Sequence, residues 1–124
     1  MSAAPRVGVT VLVVDDQPMF RRAVSSLVRS VIGLQLVGEA SSGEEAVQLA
    51  MELVPDLILM DVRLPGIDGT EATRQILARL PLIRVVLVST YDEADLPLAL
   101  GECGAVRFLR KQDLDAEALL AAAG

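Results

Sequence analysis

Histidine is absent from the 124 residues, and with it go Ser-His and Cys-His nucleophile pairs, imidazole metal ligands and phosphohistidine chemistry. Any chemistry must run on carboxylates, hydroxyls or lysine. A single cysteine, Cys103, excludes an internal disulfide, and its helical spacing from Ala99 and Leu100 reads as a packed core thiol. Tryptophan is absent and the aromatic residues are Phe20, Tyr91 and Phe108, too few for a platform on which bases or flat cofactors stack. Positive charge is short as well. Eleven Lys and Arg against seventeen Asp and Glu leave a formal charge of -6, the wrong sign for a phosphate backbone, so direct nucleic-acid binding by this chain is not expected. The longest apolar run, Ala118 to Ala123, falls far below the roughly 20 residues of a membrane span. Nothing in Met1 to Val7 has signal-peptide character, so a cytoplasmic location is expected.

At 52% hydrophobic residues the chain is too apolar for disorder, and its length suits one domain of roughly 150 residues. Val9–Val14, Leu34–Val37, Leu57–Met60, Val85–Val88 and Val106–Leu109 read as five strands. Between them, Phe20, Val24, Leu27, Val28 and Val31 mark a first helix that Gly33 ends. Ser42 with Glu45, and Asp68 with Glu71, form capping boxes ahead of a second and a third helix. Asp92 and Glu93 open a fourth that carries Leu96, Leu100 and Cys103 and closes at Gly104, and Asp113 or Asp115 starts a short fifth. Runs that are apolar throughout, rather than alternating, belong to strands buried on both faces. The expected fold is therefore α/β, a five-stranded parallel sheet with helices on both sides, residues 1–8 forming an N-terminal extension and 9–124 the domain.

In such sheets ligands bind beyond the carboxyl ends of the strands, which brings Asp15, Asp16, Glu39, Asp61, Ser89, Thr90 and Lys111 into view. Plainer roles compete for each. An Asp before Pro18 can cap the first helix, Asp61 can end its strand as a turn residue, and Ser89 or Thr90 can satisfy loop backbone. A pair at 15 and 16 exceeds what one cap needs, however. Lys111 is the only lysine beside ten arginines, which suits a tight place where one point charge must reach one oxygen. With strand order 2-1-3-4-5, three carboxylates converge with a hydroxyl and an ammonium at the rim. Crowded carboxylates repel one another and hold a proton unless a cation is present. Oxygen donors without histidine or thiolate favour Mg2+. The metal would neutralise an incoming phosphate and leave one carboxylate as an in-line nucleophile, with lysine and hydroxyl on the phosphoryl oxygens.

The stretches Val11-Leu-Val-Val-Asp-Asp-Gln-Pro-Met-Phe-Arg-Arg, Gly38-Glu-Ala-Ser-Ser-Gly-Glu-Glu-Ala, Pro55-Asp-Leu-Ile-Leu-Met-Asp-Val-Arg-Leu-Pro-Gly-Ile-Asp-Gly, Val85-Val-Leu-Val-Ser-Thr and Gly104-Ala-Val-Arg-Phe-Leu-Arg-Lys carry a family likeness. Together they resemble the receiver domain of two-component response regulators, nearest to the subfamily with a LuxR-type helix-turn-helix output domain. The resemblance runs from about Val9 to the end and implies a flavodoxin-like fold. It implies that Asp61 accepts a phosphoryl group from a sensor histidine kinase, and that Asp15, Asp16, Asp61 and the Arg63 backbone carbonyl serve Mg2+. Ser89 matches the family's switch hydroxyl, Lys111 its phosphoryl-site lysine and Phe108 its switch aromatic. Phosphorylation would then remodel the face of the fourth helix, fifth strand and fifth helix, around Leu96, Arg107 and Glu117, and favour a symmetric homodimer. Transcription would be controlled through an output domain that residues 9–124 do not include.

Two departures from the family stand out. Gln17 replaces the His common in the subfamily and is expected to be peripheral, and Gln112 follows the lysine where the wider family has Pro. A degenerate or stand-alone receiver that serves as a protein-interaction module is the main alternative. A small aspartyl phosphatase would need a second acid two positions after its nucleophile, where Arg63 stands. No catalysis is expected beyond the chain's own phosphorylation and dephosphorylation.

Overall fold

All five expected strands form. The computed structural model describes residues 8–90 and 102–124; Met1 to Val7, Tyr91 and the part of the expected fourth helix from Asp92 through Leu96 and Leu100 lie outside them. The elements are β1 (Val9–Val14), α1 (Pro18–Ser30), β2 (Leu34–Ala40), α2 (Gly43–Leu53), β3 (Leu57–Asp61), α3 (Gly69–Arg79), β4 (Arg84–Ser89), β5 (Arg107–Arg110) and α4 (Ala116–Ala123). The sheet order is β2-β1-β3-β4-β5 and every pairing is parallel.

Successive strand side chains point to opposite faces, and both faces are covered. Leu12, Val14, Ile58, Met60, Val85 and Leu87 pack against Ala46 and Ala50 of α2 and Ala72 and Ile76 of α3. Val11, Val13, Leu57, Leu59, Val86 and Val88 pack against Val24 and Val28 of α1 and Leu119 and Ala122 of α4. Neither face can accept a polar residue at strand centre, which is why the runs are apolar throughout rather than alternating.

The strands extend beyond the apolar runs. β2 continues to Ala40, β3 takes in Asp61, β4 spans Arg84–Ser89, and β5 is shifted one residue to end at Arg110. Ladder hydrogen bonds come from backbone groups and do not stop where side chains turn polar. Asp61 and Ser89 are therefore last residues of strands, held by the ladder, rather than first residues of loops.

Half of each expected capping box is present. Ser42 Oγ accepts the Glu45 N–H at 3.1 Å and Asp68 Oδ1 accepts the Glu71 N–H at 2.9 Å. The reciprocal bonds go elsewhere. Glu45 takes the Ser41 N–H at 2.7 Å, and Glu71 turns to Arg74 and Gln75 further along its own helix. At the last helix Asp115, not Asp113, is the cap, accepting the Ala118 N–H at 2.8 Å. Asp113 ends a single 3-10 turn, Lys111–Asp113, which also holds Gln112, and pairs back to Arg110 at the end of β5 at 2.9 Å. Gly104 adopts φ +100°, the left-handed conformation expected of a helix-ending glycine.

Candidate functional site

β1 lies between β2 and β3, so the chain leaving it enters the crevice where successive connections diverge to opposite faces of the sheet. Asp15 is the first residue there. Its N–H donates to the Ala40 carbonyl at 3.0 Å, its Oδ1 accepts the Gln17 N–H at 2.8 Å, and its own carbonyl accepts Arg21 Nη1 at 2.8 Å. Arg21 is held in turn by Glu39, Nε to Oε1 at 3.2 Å. Glu39 thus braces the loop and is not part of the acidic cluster. Gln17 is the N-cap residue of α1 and makes no side-chain cap bond, so neither Asp15 nor Asp16 is consumed as a helix cap.

Asp61 closes β3, in register with Val88 of β4. The Arg63 N–H donates to its Oδ1 at 3.3 Å, and the next loop is pinned by the Val62 N–H to the Val88 carbonyl at 3.0 Å. α3 begins directly beneath. Gly69 donates its N–H to the Val62 carbonyl at 2.7 Å, and a Cβ at Gly69 would overlap the Asp61 carbonyl oxygen. Only glycine admits this approach of helix start to strand end.

Lys111 enters from the far side, just after β5. Its Nζ lies 2.8 Å from Asp15 Oδ2 and 3.5 Å from Asp61 Oδ2, and the side chain is 8% exposed. The same ammonium sits 3.5 Å from Gln17 Oε1 and 4.1 Å above the centroid of the Phe20 ring. Asp15, Asp16 and Asp61 each place a carboxylate oxygen within 4.8 Å of the others, Asp15 and Asp61 buried and Asp16 exposed.

This crowding shows in the chemistry of Asp61. Burial, first, and then the Asp15 carboxylate push its carboxyl from the ordinary 3.8 up to about 6, against the opposing pull of Lys111 and the Arg63 N–H; Asp16 adds a smaller push upward. Even with Lys111 in place the cluster is short of positive charge. Three carboxylate oxygens with no nitrogen or sulfur donor suit a hard divalent cation, and the residues present fit one.

Four of the expected site residues, Asp15, Asp16, Asp61 and Lys111, come together. Ser89, 1% exposed, ends the strand beside Asp61's, in register with Arg110. Thr90 is exposed at the start of the following loop. Phe108 is half-buried on β5, paired with Leu87, and packs on the α2 and α3 side of the sheet. Gln17 departs from its expected peripheral place, because its amide oxygen and its N–H both face the cluster. Phe20, which the sequence marks only as an apolar helix position, is the other residue missed. Positions three apart share a helix face, so Gln17 and Phe20 could be paired from sequence, but not with Lys111, 94 positions from Gln17.

A parallel sheet of order 2-1-3-4-5 with three carboxylates and one lysine at its carboxyl end defines a class of protein. Residues 11–123 match the family model for the response regulator receiver domain, and the chain belongs to that family, the receiver domains of two-component systems. It is similar to the response regulator GacA of Pseudomonas aeruginosa, 44% identical over 103 residues that cover 83% of this chain and 48% of that protein. The chain spans about half the length of the curated relatives it matches. Among solved structures it is similar to the signal receiver domain of NarL from Mycobacterium tuberculosis, with TM-score 0.85 and 33% identity over 95% of this chain and 98% of that one. A LuxR-family two-component response regulator from Aurantimonas sp. SI85-9A1 has TM-score 0.83 and 31% identity, covering 92% and 81%. Its family agrees with the subfamily that the motifs resemble. No helix among the described residues is long and apolar enough to cross a membrane.

Proposed function

We propose that this chain is a Mg2+-dependent phosphoacceptor, taking a phosphoryl group from a sensor histidine kinase onto Asp61. The observation that carries this reading is one buried carboxylate, raised to about 6, set between a second buried carboxylate and a lysine ammonium 3.5 Å away. A carboxylate oxygen of Asp61 attacks phosphorus in line, the bond from phosphorus to the donor's imidazole nitrogen breaks, and an acyl phosphate forms. Lys111 exchanges part of its contact with the acids for a phosphoryl oxygen, and the Ser89 hydroxyl donates to another. Asp15, Asp16, Asp61 and the Arg63 backbone carbonyl would hold Mg2+, which when bound offsets the crowded negative charge. The Arg63 N–H on Oδ1 steadies the Asp61 carboxyl group.

Signalling follows from Ser89. A hydroxyl drawn toward the phosphoryl group leaves room beside β4, into which Phe108 of the neighbouring strand turns. That would remodel the surface of β5, α4 and the fourth helix expected from the sequence, with Leu96, Arg107 and Glu117 on it, and favour a homodimer. The acidic chain makes no direct nucleic-acid contact in this reading. It acts in the cytoplasm and controls transcription through an output domain. Apart from catalysing its own phosphorylation and dephosphorylation it is not an enzyme.

Incubation with acetyl phosphate and Mg2+, followed by mass spectrometry, tests the reading. One phosphoryl group per chain on Asp61, absent from a folded Asp61→Asn variant, is expected. No adduct, or an adduct elsewhere, would instead favour a receiver that works only as an interaction module.

A further inference from the structure

We propose that Phe20 is a positioning residue, whose ring face holds the Lys111 ammonium beside Asp61. The consequence for reaction rate rests on the reading of Asp61 as phosphoacceptor; the contact itself does not. Lys111 Nζ lies 4.1 Å from the ring centroid, well inside the roughly 6 Å at which a cation feels the negative face of an aromatic ring. With 8% of its side chain exposed, the ammonium is poorly screened by water.

Among the described residues, oxygens also face the ammonium: Asp15 at 2.8 Å, Asp61 at 3.5 Å and Gln17 at 3.5 Å. Gln17 accepts one of its N–H groups and the two carboxylates hold it by charge, contacts that an incoming phosphoryl oxygen would have to share or displace. The ring attracts the charge without offering a lone pair, so it keeps the ammonium in place while its N–H groups change partners. Phe20 is itself anchored, packing from α1 against the core that contains Val11, Val13 and Val24. A leucine there would fill similar space but has no quadrupole.

Lys111 is the only lysine in the chain, so a sample labelled with 13C-lysine gives a single methylene resonance next to the ammonium. In the wild type the ring current should shift that resonance upfield. Phe20→Leu should return it toward the open-chain position, and Phe20→Tyr should retain the shift. Phe20→Leu should also slow modification of Asp61 by acetyl phosphate about tenfold, equivalent to about 1.4 kcal/mol. Phe20→Tyr should restore the rate, and in a Lys111→Met background Phe20→Leu should cost nothing more. A lysine resonance unmoved by Phe20→Leu would overturn the contact. A rate loss as large in the Lys111→Met background would mean that Phe20 acts only through packing. A wild-type protein that takes up no phosphoryl group while its lysine resonance is shifted would overturn the phosphoacceptor reading, and the positioning role with it, but uphold the contact.

Discussion

Replacing Asp61 by asparagine should make the metal-free protein more stable at neutral pH, because the substitution removes a charge that the fold holds at a cost. The Asp61 carboxyl is raised from 3.8 to about 6 by burial and by Asp15. The folded chain therefore binds that proton more tightly than the unfolded chain. Stability contributed by the neutral form is present below about pH 4 and is lost as pH rises through about 6, leaving the full penalty at pH 8. At 1.36 kcal/mol per pH unit the difference corresponds to about 3 kcal/mol, and dielectric relaxation around a buried charge brings the expected gain to between about 1 and 3 kcal/mol. For a domain of this size that is a rise of about 4 to 12 °C in Tm.

Urea unfolding of the two proteins in EDTA, at pH 8 and at pH 4, measures the effect. The asparagine variant should be the more stable at pH 8, and the gap should close at pH 4, where wild-type Asp61 is itself neutral. Saturating Mg2+ should also narrow the gap at pH 8, since a cation bound to the folded state stabilises the charged cluster by mass action. A variant no more stable than wild type at pH 8, or a gap unchanged by pH, would refute the reasoning that charge crowding sets the properties of Asp61. A gap unchanged by Mg2+ would refute the cation as its remedy.

Three further outcomes are expected. Asp16→Ala removes an exposed carboxylate and should weaken Mg2+ binding at least about tenfold in calorimetric titration, with stability held within about 0.5 kcal/mol; unchanged affinity would remove Asp16 from the metal site. Gly69→Ala places a Cβ against the Asp61 carbonyl oxygen and should cost about 1 to 3 kcal/mol in urea unfolding; a variant as stable as wild type would mean that strand end and helix start can part freely. Sedimentation with beryllofluoride and Mg2+ should show the wild type associating and Phe108→Ala failing to, and no association by the wild type would sink the proposed switch face.

What the sequence disclosed and what it withheld divide along a physical line. Strand positions follow from runs such as Leu57 to Met60, because a strand buried on both faces has no alternative to being apolar throughout. The same criterion ends each strand one residue early at Asp61 and Ser89, since the backbone ladder that holds these two polar residues leaves no mark on side-chain composition. Asp15, Asp16, Asp61 and Lys111 could be picked out by their places after strands, and Lys111 also by its rarity. Charge partners were another matter. Whether Asp15 caps a helix or pairs with an ammonium is a choice between a contact two residues away and one 96 residues away, and only the sheet order, by bringing the ends of β1, β3 and β5 to one rim, puts Lys111 within 2.8 Å. The first turn of α1 is then recruited to the site as a consequence. Gln17 and Phe20 are ordinary helix-start residues until β5 delivers an ammonium over the face they share, and a local pattern cannot report a role that is created by a distant strand.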